Sequence, residues 1–267
     1  VNGLALCLRY VVASLRSQAQ YPASTALMTL GQLFSAAIEV VGVWALFDRF
    51  GHLQGWRFGE VLAFYALVNL QFRIADLLSR GFDVLGTAFL RTGDFDRLLL
   101  RPRSLTLQLI GHEVRLSRFG RLVTAAVLLV VATHTAPIDW TAARAAVAVW
   151  ALAGGIALFF GILVLQGTLA FWTVESLEIA NVLTYGGAEA AQYPLAIYQR
   201  WFRNVLTFGV PLACVAYFPV LVVLGRADPL GTPAWLGVVS PLAGFVFLRL
   251  AFVAWGFGVR RYASSGS

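Results

Sequence analysis

Apolar residues in this chain come in long blocks separated by short polar punctuation, with little of the two-sided alternation that marks a half-buried strand. Blocks of about 20 residues are the length a helix needs to cross a bilayer. Six are predicted: Ala23–Phe47, Trp56–Leu78, Leu122–Thr135 (with its start near Leu116), Ala143–Val174, Val205–Leu224 and Leu236–Phe257. The opening residues differ. Asn2, Arg9, Arg16 and Gln20 fall on one narrow helical stripe, with Leu4, Leu8, Val11, Val12 and Leu15 opposite, the pattern of a helix lying at headgroup level. The expected layout is therefore all-α and polytopic, with an amphipathic elbow helix over 1–21 ended by Pro22. A six-span transmembrane domain over 22–262 follows, then a disordered polar tail over 263–267. Arg9 and Arg16 are the membrane-interface residues of the elbow. Pro211 and Pro219 should kink or break the fifth span, and the mixed stretch from Asn181 to Arg203 is expected to lie at the membrane interface.

Composition agrees with lipid as the solvent: 59% of residues are hydrophobic and 12% charged, against roughly 25% charged in soluble domains. All 20 basic residues are arginine, so a phosphate-binding loop of the Walker type, which needs its lysine, is excluded. Cys7 and Cys214 lie far apart in sequence and form no disulfide framework, and His52, His112 and His134 stand alone without metal-ligand spacing. The net charge of +7 is sorted by membrane side. Six spans put 14 arginines on one face, among them Arg80, Arg97, Arg118, Arg200, Arg203 and Arg260, against four on the other, Arg49, Arg57, Arg144 and Arg226. The positive-inside rule then places both termini and the segment of about 80–121 in the cytoplasm of a cell-membrane protein, and no nucleic-acid partner is expected.

Three features hold candidate chemistry. Glu39 is the one carboxylate deep in a predicted span. It is either a helix–helix anchor or the proton site of a self-contained secondary transporter. Arg73 and Asp76, three apart, are placed to pair on one helix face, and Ala153, Ala157 and Gly161 form a small-residue face for close helix packing. The most charge-dense stretch is Gly93–Arg103, with three arginines and two aspartates around a leucine triplet and Pro102. It is either a topology-fixing basic loop or a docking surface. Asp94/Asp96 and Glu175/Glu178 have no histidine or metal-ligand company, so no catalytic set is predicted.

That stretch, Gly93-x-Phe95-Asp96-x-Leu98-Leu99-x-Arg101-Pro102 with Gln108 beyond it, resembles the inner-loop motif of membrane subunits of ATP-binding-cassette exporters of the type-2 permease family, in its six-span subfamily. Gln192-Tyr193-Pro194, Pro211, Tyr217-Phe218-Pro219 and Leu224-Gly225-Arg226 carry the rest of the resemblance. It implies a permease without ATPase motifs or cofactor of its own, coupled to two copies of a separate ATPase that holds the ATP and Mg. It also implies a second permease subunit, identical or related. The coupling residues it implies are Asp94, Phe95, Asp96, Arg97, Leu98, Leu99, Arg101, Pro102 and Arg103. Phe95, Leu98, Leu99 and Leu100 would be the apolar insertion and the charged residues would set register.

Overall fold

A computed structural model describes residues 22–52, 55–110, 116–173 and 182–262. All regular structure in these residues is helical. The long elements are α1 (Pro22–Phe50), α2 (Phe58–Leu78), α6 (Leu116–Thr135), α7 (Ala142–Leu169) and α13 (Leu242–Arg261). Between α2 and α6 lie three short helices, α3 (Arg80–Asp83), α4 (Asp94–Leu99) and α5 (Leu105–Ile110), with a widened π turn at Leu85–Leu90. Between α7 and α13 come a π turn (Val182–Gly186), α8 (Gly187–Ala191) and α9 (Arg200–Asn204), which runs on into a π turn at Val205–Gly209. Then follow α10 (Leu212–Val215), α11 (Tyr217–Leu224) and α12 (Trp235–Val239).

Among the described residues, four helical stretches are long and apolar enough to cross a membrane: Phe58–Leu78, Arg118–Thr135, Ala142–Leu169 and Trp235–Arg261. A fifth arises if Arg200–Gly209 and Leu212–Leu224, bent by 72° at their junction, count as one span. The break falls at Pro211, as its missing amide hydrogen dictates. α1 has 29 residues and a broad exposed apolar side that includes Leu27, Phe34, Ile38, Val41 and Trp44. The elbow and the tail lie outside the described residues.

α2 and α7 form the centre of the bundle, and α13 lies along α7 over most of its length. That closeness needs small residues. A Cβ on Gly244 would collide with the Gly154 backbone, and one on Gly161 would come within 3.1 Å of Leu248 Cα. Ala157 and Gly161 are buried as expected, but Ala153 lies off this face, at an apolar groove with Trp150, and Gly154 takes its place. In the stretch before α9, Thr184 and Gln192 are buried, and Thr184 donates to Gln166 Oε1 at 3.0 Å, so part of this stretch packs against the bundle. A polar segment is tolerated there because its side chains find protein partners.

Candidate functional site

Gly93 begins the charge-dense stretch in the left-handed conformation (φ +74°), which lets the chain turn sharply into α4 without a Cβ clash. Thr92 accepts from the Asp94 amide at 3.4 Å, and Asp94 pairs with Arg97 at 2.9 Å. Ser104 caps α5 by accepting from the Leu107 amide at 3.4 Å. The turn between the two helices is closed by Gln108, whose amide donates to the Leu98 carbonyl at 3.1 Å and the Arg103 carbonyl at 3.3 Å. The result is a two-helix hairpin with Leu99–Arg103 at its tip.

This hairpin corrects the expected division of labour among its apolar residues. Phe95 is 0% exposed and Leu98 7%, because both face the protein's own core. Phe95 packs edge-on against Tyr262 at 4.7 Å and Phe171 at 5.4 Å. Neither side chain is available to insert into another subunit. Leu99 and Leu100, at 44% and 84% exposure, are the apolar residues that face outward. Arg97, Arg101, Pro102 and Arg103 flank them along the chain, all exposed. The 3.6-residue period explains the split, since α4 is short and only one side of it can be buried.

The hairpin is anchored by α3. Gly81 leaves no room for a Cβ against the Leu109 backbone, and Phe82 inserts between Phe160 of α7 and Trp255 of α13, at 5.8 and 5.1 Å. Beside it lies a compact ion cluster. Asp76 pairs with Arg118 at 3.0 Å and with Arg121 at 3.7 Å, and the Arg118 guanidinium also donates to the Asp76 carbonyl. Asp83 pairs with Arg80 at 2.6 Å and faces Arg118 at 3.8 Å. The expected Arg73–Asp76 pair is thus replaced: Asp76 turns to α6, while Arg73 lies over the Phe72 ring at 5.6 Å. Asp76 and Arg118 are both nearly buried, a placement that only close mutual contact makes tolerable.

The opposite end of the bundle gathers Arg57, Arg144 and Arg226. Arg226 pairs with Glu60 at 2.6 Å, donates to the Gly55 carbonyl at 2.9 Å and lies over the Trp56 ring at 3.9 Å. Tyr217 donates to Asp228 at 2.6 Å.

Deep between these ends, Gln71 is fully buried and donates to the carbonyls of Ala151 and Val215, each at 3.0 Å. Pro219 has no amide hydrogen to offer Val215, four residues earlier, so Gln71 satisfies the acceptor that the proline orphans. Ser240 donates to the neighbouring Cys214 carbonyl at 2.7 Å. Sequence reading missed both, although a proline in an apolar run signals that some side chain must answer the freed carbonyl. Glu39 lies in α1, but its side chain is outside the described part, as are Arg9 and Arg16. No group of metal-ligating side chains occurs among the described residues.

Together these features define a polytopic helical membrane protein whose longest polar segment is folded onto the end of its apolar helices. Residues 33–266 match the family described as ABC-2 family transporter protein, and the chain belongs to that family. No match was found among curated proteins or among solved structures.

Proposed function

We propose that the chain is the permease subunit of an ATP-driven exporter and that the Leu99–Arg103 tip docks on a separate ATPase subunit. The observation that supports this is the tip itself: two exposed leucines flanked along the chain by exposed arginines, on a hairpin whose inner side is buried in the membrane domain. An apolar centre with a charged rim is how interface anchors are arranged. The family supports a membrane transport role with hydrolysis elsewhere.

In this reading the arginine-rich end is cytoplasmic and α1 is the first of six spans, its 29 residues exceeding the requirement. The bent segment ending at Leu224 is the fifth crossing. Two ATPase copies, holding ATP and Mg, would move the tips of two permease subunits, and the pathway would open between them. The elbow, with Arg9 and Arg16 at the headgroups, completes the cytoplasmic side.

The test is the double substitution Leu99→Asp with Leu100→Asp in the co-expressed complex. Anchors of this kind contribute about 2 kcal/mol or more each, so the ATPase should no longer co-purify while the permease stays monodisperse. Full retention of the ATPase would refute the docking role.

A further inference from the structure

Resting on that docking reading, we infer that Tyr262 is the joint through which the docking hairpin drives α13, and that α13 carries the displacement to the broken span. Three observations support the route. First, Phe95 of the hairpin touches Tyr262 and Phe171 edge-on, and Phe171 touches Trp255 of α13 at 5.4 Å. Tyr262 immediately follows α13, so its ring ties the end of that helix to α4. Burial, with Asp96 adding to it, raises the pKa of this phenol.

Second, α13 is an uninterrupted helix of 20 residues, a rod of about 30 Å. Its glycine-mediated seam with α7 permits sliding or tilting as one body, since packed helices move by small shears. Third, the far end of α13 begins next to Ser240, which holds the Cys214 carbonyl three residues past Pro211, where Arg200–Gly209 and Leu212–Leu224 meet. Trp150 of α7 holds the Val238 carbonyl on the same connection at 3.1 Å. A displaced hairpin therefore reaches the bend through one contiguous set of contacts.

Cys214 is a built-in reporter, because it sits at the bend as a free, half-buried thiol. The experiment uses the full chain with Cys7→Ser, in complex with its ATPase in lipid nanodiscs. The rate of Cys214 labelling by N-ethylmaleimide is compared without nucleotide and with ATP plus vanadate. Coupling between sites commonly amounts to about fivefold or more, and a change of that size is expected with Tyr262 intact and with Tyr262→Phe. Tyr262→Leu, which keeps most of the buried volume, should abolish the change while the ATPase stays bound and hydrolyses ATP; Tyr262→Ala should do the same.

An unchanged nucleotide response in either variant overturns the inference and leaves α2, through Gln71 and Val215, as the route. Loss of a folded membrane domain in both variants also overturns it, since Tyr262 would then be structural. Failure of the ATPase to bind the unsubstituted chain is a different result: it removes the docking reading, and this inference with it.

Discussion

Pro219 leaves the Val215 carbonyl without a helical donor, and one buried amide side chain repairs the loss. Gln71 bridges α2, α7 and α10 with two hydrogen bonds from a single nitrogen, while its own Oε1 has no partner. Gln71→Leu removes the donor and leaves the Val215 carbonyl unpaired, at about 1–3 kcal/mol. A lower melting temperature in detergent is expected, measured by intrinsic tryptophan fluorescence. An unchanged melting temperature would mean the bend needs no pin. Asp76 and Arg118 obey the same logic with charges. Removing one partner strands the other, so Asp76→Asn should cost about 3–5 kcal/mol and lower the monodisperse yield. Arg73→Gln, at a position the sequence proposed as Asp76's partner, should cost far less.

At the scale of elements, the hairpin between α2 and α6 has a buried side and a displayed side, and substitutions should sort accordingly. Phe95→Ala empties a fully buried ring site at about 3–5 kcal/mol and should broaden or aggregate the permease peak in size-exclusion chromatography. Leu100→Ala should leave that peak unchanged, because its side chain is already in solvent. Gly93→Ala forces a left-handed conformation on a residue with a Cβ, about 1–2 kcal/mol. It should weaken ATPase docking by disturbing α4, with the transmembrane helices intact. A normal peak for Phe95→Ala would contradict the buried packing. This division was only half legible in the sequence. The motif marked where the hairpin lies. Which leucine faces outward depended on α3 and α13 arriving from elsewhere in the chain.

For the whole molecule, the separation of arginines predicts sidedness. Asp139, fully exposed at the Arg226 end, should label with an impermeant maleimide in intact cells as Asp139→Cys, and Arg103→Cys should label only after lysis. The reverse pattern would invert the topology. Glu39→Gln removes the titratable group of the proton-coupled alternative. ATP hydrolysis and ATP-driven transport by the reconstituted complex should persist with it, and loss of transport with normal assembly would favour that alternative. The sequence by itself determined the solvent, the approximate apolar blocks, the broken run at Pro211 and Pro219, and the exclusion of a Walker loop. These follow from local composition, helix length and the chemistry of single residue types. Tertiary structure alone decided that Asp76 answers to Arg118, that Gln71 and Ser240 satisfy the carbonyls of the break, and that Phe95 is spent on Tyr262 while Leu100 is left to solvent. Each of these joins residues dozens to more than a hundred positions apart. A contact at that separation is set by how whole helices pack, which no local pattern of apolar and polar residues encodes.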